Sequence, residues 1–253
     1  MAKRIVVVPD TQIQPETDTN FLEAIGNYIV EKSPDVIIHM GDHWDMPSLS
    51  SYDVGKKQFE GRRYIKDIEA GNTAMDVLTN PIKQEMNRLR NNKKKVWQPE
   101  MYFLTGNHEQ RIQRAVNADA KLEGVIGYKD LNLSDWKVYD FLEVLVVEDI
   151  AFSHYFVTGV AGRPASSAAA QLNKKHMSCV AGHKQGLDFA CANKADGKRI
   201  TSVIAGSSYP EGMEYLGPQG NNHWRGILVL HDCNEGEFDM MPVSTSFLLK
   251  KYL

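Results

Sequence analysis

Long apolar runs are missing from this chain, and no segment approaches the roughly 20 apolar residues that a bilayer-spanning helix needs. The opening residues resemble a leader only briefly, because the apolar stretch Ile5 to Val8 is short and no cleavage-like stretch follows. Cysteine is scarce: Cys179, Cys191 and Cys233 are an odd number in scattered contexts, with no CxxC spacing. They read as reduced thiols, and the expected setting is cytoplasmic. Excess positive charge is also lacking, since the net charge of -3 argues against a generally basic nucleic-acid coat while leaving room for a local basic face. Internal repeats, low-complexity tracts and linkers are absent as well. What is present is ordinary for a soluble globular protein: 253 residues, 42% hydrophobic and 24% charged, long enough for one sizeable core and read here as a single domain over 1–253.

The chain alternates short β-rich runs with helical patterns. Residues 4–8 are a β-branched strand of the doubly buried kind, and 19–31 carry a helical stripe of Phe21, Leu22, Ile25, Tyr28 and Ile29. Residues 35–40 form the next strand. Residues 53–100 read as an insertion of two helices, 58–70 and 74–90, broken by Gly71-Asn72 and interrupted near Pro81. That insertion holds eleven Lys or Arg against seven Asp or Glu, so it is about +4 while the rest of the chain is about -7. Further strands are expected at 101–104, 136–138, 142–147, 150–153, 177–181, 201–205 and 224–231, the last paired with 236–243 as a hairpin. Helices are expected at 110–117 and 165–175.

One event recurs five times. A short apolar strand ends, and a side chain competent to hold a metal stands just past it: Asp10 with Gln12, Asp42, Asn107, His154, and His183 with Gln185. In α/β sheets ligands bind at the carboxyl ends of strands. Asp, Asn, His and Gln suit a hard or borderline divalent cation. Each has a plainer reading when taken singly. Asp10 and Asp42 would serve as helix N-caps, Asn107 as a left-handed turn residue, and His154 as a core histidine. Five on separate strands point to convergence on one site.

The motifs resemble those of the calcineurin-like metallophosphoesterases: Asp10-Thr11-Gln12, Gly41-Asp42-His43-Trp44-Asp45, Gly106-Asn107-His108-Glu109, His154, and Gly182-His183-Lys184-Gln185, in that order. Ile204-Ala205-Gly206-Ser207 is similar to the family's late Gly-Ser turn. The resemblance implies a four-layer α/β/β/α sandwich of two mostly mixed sheets. It implies two divalent ions bridged by Asp42, with Asn107, His154 and His183 completing one site and Asp10, Gln12 and Gln185 the other. It implies catalytic roles for His108 and Asp45, with Asp45 orienting His108 toward the leaving oxygen while a bridging hydroxide attacks phosphorus in line.

Two positions depart from the family pattern, because Gln12 and Gln185 stand where histidines are common. The second half-site is then all oxygen, which favours Mn over Zn, with Mg, Ni, Co and Fe as further candidates, and it is expected to be the weaker one. Substrate contacts are assigned to His43 and to Arg62 and Arg63 at the start of the basic insertion. The expected activity is metal-dependent hydrolysis of phosphate esters, with phosphodiesters (nucleotide or nucleic acid) favoured and no membrane partner. A phosphomonoesterase or protein phosphatase is the alternative within enzymes. A catalytically weak metal-binding scaffold is the alternative outside them.

Overall fold

Along β1 (Lys3–Val8) successive side chains enter different cores: Ile5 and Val7 join one apolar cluster, Val6 and Val8 another. Period-two alternation in a strand buried on both faces requires a layer above and a layer below. The structure, a computed structural model, describes residues 2–52, 54–210 and 223–253; residue 53, where the insertion was expected to begin, lies outside them.

Six strands form the first sheet in the order β11-β10-β1-β2-β3-β4, with β2 at Val36–His39, β3 at Glu100–Leu104, β4 at Lys137–Tyr139, β10 at Gly226–Asn234 and β11 at Glu237–Ser244. Strands β1 to β4 run parallel, and the β10–β11 hairpin adds antiparallel strands beside β1. The second sheet has the order β5-β6-β7-β9-β8, with β5 at Leu145–Val147, β6 at Ile150–Ser153, β7 at Cys179–Ala181, β8 at Leu187–Asn193 and β9 at Arg199–Ala205. Its central strands β6, β7 and β9 are parallel and its edges antiparallel.

Ile5, Val7, Val36, Ile38, Leu228 and Leu230 from the first sheet meet Phe152, Val180 and Val203 from the second. Each such side chain leaving water contributes roughly 1.5–3 kcal/mol. The outer face of the first sheet is covered by α1 (Asn20–Lys32), α2 (Tyr64–Asn91), α3 (Gln110–Ala118) and α5 (Thr245–Tyr252), which share a core with Val6, Val8, Ile37, Ile227 and Val229. The outer face of the second sheet carries α4 (Ala168–Lys175), where Gln171 Nε2 donates to Cys179 Sγ at 3.3 Å. The layers are therefore helix, sheet, sheet, helix, as expected. Among the described residues no helix is long and apolar enough to cross a membrane.

The insertion differs from its reading. It is one 28-residue helix, not two, and it starts at Tyr64, after a short 3-10 turn at Lys57–Phe59. Ile68, Met75, Leu78 and Ile82 form an unbroken buried stripe in the main core, and this packing outweighs the local penalties of Gly71 and Pro81. Trp44 lies against Gly71 so closely that a Cβ there would stand 1.9 Å from its ring. Two elements escaped the sequence reading. Strand β8 is largely exposed and lacks a clean alternation, and α5 is only 8 residues long. The strand read at 142–147 shortens to Leu145–Val147.

Candidate metal centre

The ends of β1, β2, β3, β6 and β7 meet at one edge of the sandwich, and backbone bonds between their turns hold them there. Gln12 N donates to Asp42 O at 2.9 Å, Gly182 N to His154 O at 2.9 Å, and Ser208 N, in the late Gly-Ser turn, to Asp10 O at 2.9 Å. Gly41 and Gly106 permit the closest approach. A Cβ on Gly41, which has φ +88, would stand 2.3 Å from Leu104 O, and one on Gly106 would stand 2.2 Å from Asp42 Oδ1. Four of the predicted donors sit in left-handed backbone without being glycine: Gln12 (φ 44), Asp42 (φ 51), His183 (φ 67) and Gln185 (φ 45). Each costs on the order of 1–3 kcal/mol, and such strain collects where side chains must be aimed.

Asp42, His154 and His183 offer ligand atoms that all lie within 4.8 Å of one another. His154 Nδ1 faces the Met40 carbonyl at 2.7 Å, which leaves Nε2 pointing inward, 3.4 Å from Asp42 Oδ2 and 2.9 Å from Asn107 Oδ1. An outer carbonyl that fixes the ring while the inner nitrogen faces the site is the arrangement of a metal-ligating histidine. On the other side of Asp42, Asp10 Oδ1 accepts the His183 N–H at 3.1 Å, while Asp10 Oδ2 and Gln12 Oε1 are buried without any hydrogen-bond partner. Buried unpaired acceptors are costly unless a cation or water meets them. Two orphaned oxygens beside an Asp-Asn-His-His set therefore fit a divalent cation. Gln185 is held differently, because the Tyr209 hydroxyl donates to its Oε1.

The electrostatics agree with the donor set. Burial, and next the Asp42 carboxylate, push the Asp10 carboxyl up. Burial opposes ionisation of Asp42, yet His108 and His154 hold it well below the ordinary carboxylate range. Burial would lower His154, but Asp42 outweighs it and raises the imidazole to about 9. Burial and His154 lower His183 to about 4, which leaves a neutral imidazole. Two buried carboxylates in one small volume repel, and a divalent cation between them would relieve that repulsion.

His108 stands outside this donor set. Its Nδ1 contacts Asp45 Oδ1, Nε2 lies 3.8 Å from Asp42 Oδ2, and its backbone N–H donates to Asp42 Oδ1 at 2.9 Å. Burial alone would lower its pKa, but Asp42 and Asp45 raise it. Gln14 Nε2 donates to the other Asp45 oxygen.

Two residues were missed by the sequence reading. Glu109 closes the Gly106-Asn107-His108-Glu109 motif. Its buried carboxylate accepts four backbone N–H groups, from Asp42 (2.9 Å), His43 (2.7 Å), Trp44 (2.9 Å) and Gly106 (2.9 Å), and so ties the turns after β2 and β3 together. Arg111 was assigned only to a helix. Its Nη1 donates to Asp45 O at 2.6 Å and to Met46 O at 3.3 Å, and its Nη2 lies 3.3 Å from His108 Nε2.

Three substrate-contact expectations fare differently. His43 is wholly buried, with Nδ1 2.6 Å from Thr11 Oγ1 and Nε2 3.0 Å from Gly71 O, so it braces the site against α2 and does not face substrate. Arg62 donates to Pro47 O at 3.0 Å, close in sequence to Asp45. Arg63 is exposed and donates to Arg62 O at 2.8 Å, a local bond that brings it no nearer the centre.

Two mycobacteriophage proteins, each called Gene 54 protein, are similar to parts of the chain. The one from phage L5 is 32% identical over 138 residues, which is 54% of this chain and 48% of that protein. The one from phage D29 is 40% identical over 73 residues, which is 29% and 28% of the two. The chain thus spans about half the length, or less, of these curated relatives. Among solved structures, a predicted phosphoesterase of Streptococcus pneumoniae TIGR4 aligns at a TM-score of 0.37 and 12% identity, covering 96% of this chain and 99% of the other. Chaetomium thermophilum Vps29 aligns at a TM-score of 0.43 and 11% identity, covering 96% and 97%. The sequence profile described as calcineurin-like phosphoesterase matches residues 3–189, well over half the chain and all five strand-end motifs, and the chain belongs to that family.

Proposed function

We propose that the protein hydrolyses phosphate esters with divalent metal ions, acting on phosphodiesters of the nucleotide or nucleic-acid kind, as a single domain whose helical segment is part of its core. The observation that carries the reading is the meeting of Asp42, His154 and His183 within 4.8 Å, beside the unpaired oxygens of Asp10 and Gln12. Asp42, Asn107, His154 and His183 would hold one ion, and Asp10, Gln12 and Asp42 a second. Gln185 Oε1 already accepts from Tyr209, so it would join the second with a weakened donor, which makes that site the weaker. Its oxygen donors favour Mn. When bound, the ions would supply Lewis acidity toward the phosphoryl oxygens and a water of lowered pKa.

The remaining chemistry belongs to the chain. Asp45 holds His108 through Nδ1, so Nε2 is the atom that faces the leaving oxygen and hands it a proton. Glu109 keeps the His108 and Asp42 turns in register, so proton donor and metal ligands move as one body. The diester preference rests on the basic segment at 53–100, within which Arg62 donates to the carbonyl of Pro47, two residues beyond Asp45.

A panel of generic monoesters and diesters with Mn, Mg, Zn, Ni and Co tests the reading, run beside Asp42→Ala and His108→Ala. Metal-dependent turnover lost by at least about 1,000-fold in Asp42→Ala is expected. Activity that survives Asp42→Ala overturns it.

A further inference from the structure

Arg111 is anchored by backbone carbonyls and makes no side-chain ion pair among the described residues, while the carboxylate that feels its charge, Asp45, is already engaged by His108 and Gln14. Its Nη1 is fixed by two backbone carbonyls, those of Asp45 and Met46, and its Nη2 lies 3.3 Å from His108 Nε2. No carboxylate among the described residues makes an ion pair with it, and its Nε–H has no protein acceptor there. The half-buried guanidinium lies 3.3 Å from the imidazole that Asp45 holds, so an anion arriving at His108 Nε2 would meet both groups at once. The carbonyl anchors also remove most of the freedom that a surface arginine would lose on binding. They hold the group where the His108 side chain meets solvent, and a planar fork of N–H donors matches phosphoryl oxygens. Arg114, one turn further along α3, is exposed and donates to Asn107 O at 3.1 Å, so the same helix face extends the positive potential outward.

We propose that Arg111 is a substrate-contacting residue that receives a non-bridging phosphoryl oxygen of the ester on its free N–H donors, next to the leaving oxygen served by His108. The inference rests on the phosphoesterase reading for the identity of the ester, but its anion chemistry stands apart from turnover. On substrate binding Nη2 leaves His108 Nε2 for the phosphoryl oxygen. The imidazole then keeps only Asp45 and the leaving group as partners. Arg111→Lys fills the charge but not the fork.

The test uses inorganic phosphate as the probe, on the metal-loaded protein. Calorimetric phosphate affinity should fall about 10–100-fold in Arg111→Gln and less in Arg111→Lys, the range expected for losing charge-assisted hydrogen bonds. Metal affinity should stay at its wild-type value, melting temperature should fall only by the modest amount that losing the two carbonyl hydrogen bonds brings, and added guanidinium should partly restore phosphate binding to Arg111→Ala. Unchanged phosphate affinity in Arg111→Gln overturns the proposal. So does a parallel loss of metal affinity and melting temperature, because Arg111 would then only brace the Asp45 turn. A wild-type protein that hydrolyses no ester yet loses phosphate binding in Arg111→Gln would sink the phosphoesterase reading and leave the phosphate contact standing.

Discussion

Asp42 and His108 are joined by a hydrogen bond from the His108 backbone N–H to Asp42 Oδ1 at 2.9 Å, while Asp42 Oδ2 faces His154 at 3.4 Å. The proposed bridging ligand is thus tied to the backbone of the proposed proton donor, whose ring Asp45 holds. This coupling comes from the turns, not the side chains alone, and it makes the turns the natural target for mutation.

Glu109→Gln removes one of the two oxygens that together accept N–H groups from Asp42, His43, Trp44 and Gly106. The new amide would point N–H at N–H. A loss of stability on the order of 3 kcal/mol is expected, from leaving buried donors unpaired. Metal affinity should fall with it. Chemical denaturation and metal calorimetry on the same variant would check both, and wild-type values in either would show that the carboxylate is not the tie between the turns.

Tyr209→Phe frees Gln185 Oε1 from the hydroxyl that now donates to it. Affinity for the weaker Mn site should rise several-fold, as one net hydrogen bond no longer competes with the cation. Gln185→His should raise it further by supplying an imidazole. Calorimetric titration that shows the same weak step in both variants would place Gln185 outside the metal's reach.

Glu31 binds α5 to α1, because Lys251 Nζ and the Tyr252 hydroxyl both donate to it. The Lys251 hydrogen bond first, then Tyr252 and Lys32, hold its carboxyl down to about 2 from a usual 4.5. A depressed folded-state pKa stabilises above the unfolded value and loses that contribution as pH falls. Docking of α5 should therefore weaken between about pH 4.5 and pH 2. Glu31→Gln should loosen α5 at pH 7 and add nothing near pH 2. Amide hydrogen exchange along α5 reads this, and equal exchange in the variant and wild type at pH 7 would refute it.

The doubly buried strands and the strand-end motifs were legible because both obey short-range rules. Val6 and Val7 must face opposite cores whatever surrounds them, and Asp10, Asp42, Asn107, His154 and His183 each follow a run that announces its own end. The insertion was misread at Gly71 and Pro81, where helix-breaking residues are overruled by Trp44 and by the stripe from Ile68 to Ile82. His43 was misread for a related reason. Its neighbour Asp42 belongs to the site, but the bonds to Thr11 and to the Gly71 carbonyl, which turn its ring away, come from distant parts of the chain.

The amino-acid order by itself determined the alternation of strands and helices, the five strand ends and the kinds of donor available, since these depend on periodicity and on residue type; the four-layer stacking was implied only by the resemblance of the motifs. Tertiary structure alone decided what each donor meets. Left-handed backbone at Gln12 and Gln185 looks the same in sequence, yet Gln12 Oε1 is left unpaired and Gln185 Oε1 is taken by Tyr209. Arg111 stands in an unremarkable helical run, and only the fold brings its guanidinium against His108. A hydrogen bond depends on positions within a few tenths of an ångström, and those positions are set by the packing of segments far apart in the chain.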